Sequence, residues 1–127
     1  MKKILIVDDD AIFVESLCTL LDSQGYAIIT ASDGKSGLKK AQDEKPALIL
    51  LDVMMARKTE GYDVARKLKK DGNTKAIPVI LITGIKEAAS IPYELKPDED
   101  WLPVTAVLEK PVKPDELLKI VEANIKK

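Results

Sequence analysis

The stretch ILIVDDD, residues 4–10, runs four apolar residues directly into three aspartates. The apolar part is too short for a helix and rich in β-branched residues, which is typical of a strand buried in a sheet. Two carboxylates about 5 Å apart repel by roughly 3 kcal/mol at an effective dielectric constant near 20. This stretch therefore predicts either a bound positive charge at the end of the strand or side chains that spread into solvent.

Composition and charge are those of an ordinary globular domain. The 127 residues predict one domain over residues 1–127, with 46% apolar and 32% charged residues. The 20 basic and 21 acidic side chains give a net charge of -1, and this near-balance argues against direct binding of nucleic acid. No apolar run approaches the roughly 18 residues that span a bilayer, so a membrane partner is not expected either.

The cysteine and histidine content restricts the chemistry further. Cys18 is the only cysteine, so an internal disulfide is impossible and a cytoplasmic location is expected. Its helical spacing among apolar residues predicts a small core residue. The chain contains no histidine, which excludes histidine-based acid–base catalysis, phosphotransfer from its own histidine and histidine metal sites.

The apolar runs alternate with helical patterns along most of the chain. Four runs are apolar on both faces and a fifth is weaker, which predicts strands near residues 4–7, 47–51, 78–82 and 104–108, with the weaker one at 26–30. This alternation favours an open, doubly wound α/β sheet with right-handed crossovers. Three prolines interrupt residues 84–103, where we expect an ordered loop with at most a short helix.

Polar side chains follow the predicted buried strands at their carboxyl ends. The aspartates of residues 8–10 follow the first strand, Asp52 the third, Thr83 the fourth and Lys110 the fifth. In a doubly wound sheet these ends border the ligand crevice. Carboxylates without histidine or cysteine suit Mg²⁺, which takes few protein ligands plus a phosphoryl oxygen. The hydroxyl and the ammonium group could hold the other phosphoryl oxygens.

Four segments together resemble the response-regulator receiver domains of two-component signalling: KILIVDDD, ALILLDVMM, VILITG and LEKPVKPDEL. The likeness covers essentially the whole chain, with spacings of 43, 31 and 27 residues between Asp9, Asp52, Thr83 and Lys110. The resemblance implies a five-stranded parallel sheet in the flavodoxin-like order 2-1-3-4-5, as in chemotaxis receivers. Here the helix usually found between the fourth and fifth strands would be shortened or replaced by the proline-rich loop.

The resemblance also implies the metal ligands. Asp9 and Asp8, directly or through water, would hold Mg²⁺ together with the Asp52 carboxylate and the backbone carbonyl of Met54. Asp10 matches no required position of the family, and we expect it to cap the first helix.

The remaining roles concern the phosphoryl group. Asp52 would accept it from a phosphohistidine on a partner kinase, Thr83 would donate its hydroxyl to it, and Lys110 would pair with another of its oxygens. Val107 stands where many receivers carry an aromatic residue that takes part in switching, so the usual switch is in question. Trp101, within the proline-rich segment, either anchors a partner or covers apolar surface that the missing helix would cover.

The favoured function is a stand-alone, phosphorylation-controlled module. It would be served by a sensor histidine kinase or a phosphotransfer protein and would act on an unknown downstream protein through contacts or a phosphorelay. Such a module is not a conventional enzyme, because it catalyses only its own phosphorylation and slow hydrolysis. The alternative is a pseudo-receiver that binds its partner without phosphorylation. A flavin-binding protein and a metal-dependent phosphatase fit less well, because the first lacks a phosphate-binding loop here and the second lacks a cap.

Overall fold

The five apolar runs form parallel strands of one sheet in a computed structural model, which describes residues 2–52, 60–84, 106–110 and 112–125. The strands are β1 (Lys3–Val7), β2 (Ala27–Ala31), β3 (Leu48–Asp52), β4 (Val79–Gly84) and β5 (Ala106–Lys110). Their order across the sheet is β2-β1-β3-β4-β5. The predicted sheet and its strand order are confirmed.

Four helices lie in the described part of the chain: α1 (Ala11–Asp22), α2 (Gly34–Glu44), α3 (Glu60–Lys70) and α4 (Pro114–Asn124). Asp33 caps α2 by accepting a hydrogen bond from the backbone N–H of Ser36 at 2.7 Å, and this bond holds the pKa of the carboxyl below its ordinary value of 3.8. Pro114 begins α4, where a missing N–H costs nothing. None of the described helices is both long and apolar enough to cross a membrane.

The apolar side chains of each strand alternate between two core clusters, one on each face of the sheet. The register pairs Ile4 with Leu48 and Leu5 with Ile49, so neighbouring strands present matching rows. In one cluster, strand side chains pack with residues of α2 and α3, namely Ala41, Val64, Ala65 and Leu68. In the other, strand side chains pack with residues of α1 and α4, namely Leu17, Leu21, Leu117 and Val121. Helices on both faces explain why the runs are apolar throughout rather than alternating with polar residues.

Cys18 packs against the second of these clusters but is only half-buried, so the prediction of a core position is met in part. Burial, followed by the charges of Asp22 and Glu15, raises the pKa of its thiol above the ordinary value of 9.0. The predictions for Met54, for Trp101, for the side chain of Val107 and for the loop beyond Gly84 lie outside the described residues.

Candidate functional site

Two buried carboxylates lie side by side at the carboxyl edge of the sheet. Asp52 is the last residue of β3, and Asp8 follows β1, which is paired directly with β3. The backbone N–H of Asp8 donates to the carbonyl of Ala31 at 3.0 Å, so its main chain stays attached to β2 for one residue beyond the strand. Asp8 is 4% and Asp52 3% exposed. The parallel sheet thus brings together two aspartates that are far apart in the sequence.

Asp9 completes the cluster from the exposed side. One carboxylate oxygen from each of Asp8, Asp9 and Asp52 can be chosen so that the three atoms all lie within 4.8 Å of one another. These three residues form the acidic cluster. At that separation two unit charges repel by about 3.5 kcal/mol at an effective dielectric constant near 20. Such an arrangement is far more favourable with a cation among the carboxylates than without one.

The donor set of the acidic cluster fits a hard divalent cation. All three donors are carboxylate oxygens, and Mg²⁺ is commonly held by one or two carboxylates while it keeps several waters. Asp8 and Asp52 offer buried carboxylate oxygens, and Asp9 lies where water can reach. Of the four predicted metal ligands, the structure places these three together, and Met54 lies outside the described residues.

The third aspartate of the sequence does not belong to the acidic cluster. Asp10 is the N-cap of α1, and its Oδ1 accepts a hydrogen bond from the backbone N–H of Phe13 at 3.2 Å. This confirms the prediction that Asp10 caps the first helix. The structure adds a contact that the sequence analysis missed: the backbone N–H of Asp10 donates to Oδ1 of Asp8 at 2.8 Å. An Asp side chain that accepts from the backbone N–H two residues on forms an Asx-turn, and this turn leads the chain from the strand into the helix cap.

Thr83 and Lys110 lie near the same edge of the sheet by the course of their backbones. Asp52 is in register with Ile82, the residue before Thr83. β4 and β5 then pair Thr83 with Glu109 and Gly84 with Lys110. Both residues stand at the carboxyl ends of their strands, as predicted. The sheet order therefore places the hydroxyl-bearing and ammonium-bearing positions on the strands that follow β3.

Comparison with known proteins shows which protein family this sequence matches. The model of the response regulator receiver domain matches residues 4–122. Protein PilH of Pseudomonas aeruginosa is 34% identical over 124 residues, which is 97% of each chain. The alkaline phosphatase synthesis transcriptional regulatory protein PhoP of Bacillus subtilis is 44% identical over 86 residues, covering 68% of this chain and 35% of PhoP. The chain thus spans about a third of some relatives and nearly all of another.

Solved structures agree with this match. The receiver domain of the sensor histidine kinase PA1611 from Pseudomonas aeruginosa superposes with a TM-score of 0.80 at 25% identity, over 97% of this chain and 96% of that one. That structure has a magnesium ion coordinated in its active site cleft. The chemotaxis protein CheY4 of Vibrio cholerae has a TM-score of 0.79 at 26% identity, over 98% of this chain and 99% of its own.

Proposed function

This chain belongs to the response-regulator receiver family, and we propose that it is a phosphorylation-controlled signalling module with Asp52 as its phosphoacceptor. The observation that carries the proposal is the position of the Asp52 carboxylate, 3% exposed at the end of a central strand and grouped with Asp8 and Asp9. A buried carboxylate beside two others is well placed to react only when a cation neutralises its neighbours.

In this proposal Asp8, Asp9 and Asp52 hold Mg²⁺, and the backbone carbonyl of Met54 supplies a further ligand. The all-oxygen donor set of the acidic cluster supports Mg²⁺, and so does the magnesium ion in the related PA1611 receiver. Bound Mg²⁺ would neutralise the carboxylates and the charge on the transferring phosphoryl group. The remaining chemistry belongs to residues of the chain.

The proposed transfer is a substitution at phosphorus. A carboxylate oxygen of Asp52 attacks the phosphorus of a phosphohistidine, the nitrogen–phosphorus bond breaks, and the imidazole leaves with the bonding electron pair. The product is an acyl phosphate on Asp52, which water later hydrolyses to inorganic phosphate and the free carboxylate. We assign Thr83 to hydrogen bonding and Lys110 to ion pairing with phosphoryl oxygens, because β4 lies beside β3, β5 lies beside β4, and both residues stand at the carboxyl ends of their strands.

The phosphoryl donor in this proposal is a sensor histidine kinase or a phosphotransfer protein, because the chain has no histidine of its own. Output would pass through contacts with a downstream protein or through onward transfer of the phosphoryl group.

The experiment that tests the proposal is intact-mass measurement after incubation with a small acyl phosphate, with Mg²⁺ or with EDTA. We expect the wild type to gain the mass of one phosphoryl group only with Mg²⁺, and Asp52→Ala to gain none. Asp43→Asn alters an exposed carboxylate on α2 and should behave as the wild type. A folded wild type that gains no mass would contradict the proposal and favour a module that binds without phosphorylation.

A further inference from the structure

Asp10 connects the acidic cluster to the first helix through three hydrogen bonds. Its backbone N–H donates to Oδ1 of Asp8 at 2.8 Å, and its own Oδ1 accepts from the N–H of Phe13 at 3.2 Å. Its carbonyl accepts from the N–H of Val14 at 3.0 Å, which is the first bond of α1. The donor that holds Asp8 and the acceptors that begin the helix therefore belong to the same residue.

These bonds fix the direction of the Asp8 carboxylate. The main chain of Asp8 is tied to β2 through Ala31, and its side chain is tied to the N–H of Asp10. The direction of that N–H depends on the φ of Asp10, which is −87°, and together with the ψ of 97° this gives an extended backbone. Such an extended conformation is the one that an N-cap requires, and the bond to the N–H of Phe13 maintains it. Loss of the cap would release the donor that orients Asp8.

We propose that Asp10 is a positioning residue for the cation site, acting through Asp8 and not as a ligand. This inference rests on the proposed function, in which the acidic cluster binds Mg²⁺. Asp10 is exposed and lies outside the acidic cluster, which contains only Asp8, Asp9 and Asp52 among the described residues. Mg²⁺ demands near-ideal octahedral geometry, so a rotated Asp8 carboxylate weakens its binding. Groups that orient metal ligands typically contribute ten- to a hundredfold to affinity.

Two explanations of an effect at Asp10 predict different variants to be affected. If the cap matters, Asp10→Asn and Asp10→Ser retain Mg²⁺ affinity because both side chains cap helices well, whereas Asp10→Ala loses it. If only the negative charge matters, all three variants weaken binding equally and the effect shrinks as salt rises. At about 0.15 M salt the Debye length is about 8 Å, which weakens the charge effect of an exposed side chain this close to Asp8 without abolishing it, so the Asp10→Asn variant is the deciding one.

The experiment is a calorimetric titration of the full chain with Mg²⁺ in about 0.15 M KCl, where exposed charges are partly screened. We expect Asp10→Asn and Asp10→Ser to bind within about threefold of the wild type, and Asp10→Ala to bind about tenfold more weakly. Asp10→Gln is a second variant without a cap and should also bind Mg²⁺ about tenfold more weakly than the wild type. It replaces Asp10→Ala in the comparison if Asp10→Ala does not fold. Asp33→Ala removes the equivalent cap from α2, and because Asp33 does not belong to the acidic cluster, this variant should keep wild-type affinity.

Four results would overturn the inference. Asp10→Ala and Asp10→Gln binding as tightly as the wild type would show that the cap does not orient Asp8. Asp10→Asn binding as weakly as Asp10→Ala would assign the effect to charge. Weaker binding by Asp33→Ala would assign it to general loss of stability. A wild type that binds no Mg²⁺ would remove the premise itself, and this result alone would also overturn the metal site of the proposed function.

Discussion

Neutralising Asp9 should make the protein more stable in the absence of divalent cations. Its carboxylate lies within 4.8 Å of those of Asp8 and Asp52, and it carries the exposed charge of the three. At that distance each repulsion is about 3.5 kcal/mol at a dielectric constant of 20 and about 0.9 kcal/mol in bulk water. Because Asp9 faces solvent, its two repulsions fall near the lower figure. We therefore expect Asp9→Asn to unfold with a free energy about 1–2 kcal/mol higher than the wild type in EDTA.

Magnesium should reduce or reverse this difference. A ligand that binds only the folded state stabilises it by RT ln(1 + [L]/Kd), which is about 1.4 kcal/mol at ten times Kd. The wild type receives this gain in full, whereas Asp9→Asn has lost one carboxylate of the acidic cluster and receives less. The Asp9 carboxylate thus destabilises the folded state without the cation and offsets part or all of that cost when Mg²⁺ is bound. A surface charge with no role in cation binding would not make the difference depend on Mg²⁺.

The assay is urea unfolding followed by far-UV circular dichroism, with EDTA or Mg²⁺ and the ionic strength matched with KCl. The urea midpoints are compared between proteins whose unfolding free energy falls with urea at the same slope, so that a shift in the midpoint reports a change in stability alone. Asp43→Asn makes the same chemical change on the exposed face of α2 and should give similar midpoints to the wild type in both buffers. The reasoning is refuted if Asp9→Asn is no more stable than the wild type in EDTA, or if Mg²⁺ stabilises both proteins equally.

Three further predictions concern packing and backbone, and all can be measured by the same unfolding assay. A Cβ at Gly37 would lie 2.8 and 2.9 Å from the methyl groups of Val7, so Gly37→Ala should lose about 1–2 kcal/mol, whereas Gly72→Ala, with no atom within 4 Å of its Cβ, should lose nothing. Lys45 has φ 47°, so Lys45→Gly should gain about 1 kcal/mol. The buried Thr74 hydroxyl donates to a carbonyl of α3 at 2.6 Å, so Thr74→Val should lose about 1–2 kcal/mol. Equal midpoints for the two glycine variants, a lower midpoint for Lys45→Gly or an unchanged one for Thr74→Val would contradict the respective prediction.

The fold could be predicted from the sequence because its signals are local and repeated. Each central strand is a short apolar run, and both faces of the sheet are covered by helices, so the runs carry no polar alternation. The close approach of Gly37 to Val7 could not be predicted in the same way, because it depends on how α2 sits on β1. The left-handed backbone conformation of Lys45 could not be predicted either, since lysine is not a residue that favours this conformation.

The acidic cluster was predictable for a different reason. Aspartates at the ends of adjacent parallel strands must meet at one edge, so Asp8, Asp9 and Asp52 could be brought together by strand order alone. The hydrogen bond from Asp10 to Asp8 required the turn geometry itself. A sequence shows that a helix begins after Asp10, but not where the N–H of that residue points.

The three consecutive aspartates, Asp8 to Asp10, occupy three different environments because the backbone changes from strand to helix at these residues. Asp8 still follows the course of β1 and is buried against its neighbours, Asp9 lies exposed where the chain leaves the sheet, and Asp10 already has the conformation of a helix cap. A continuous strand would place alternate residues on opposite faces, and a continuous helix would spread them around an axis. Only the transition from strand to helix allows two consecutive aspartates to join Asp52 while the third holds the turn, so the order strand, acidic pair, cap is a geometric requirement of this site.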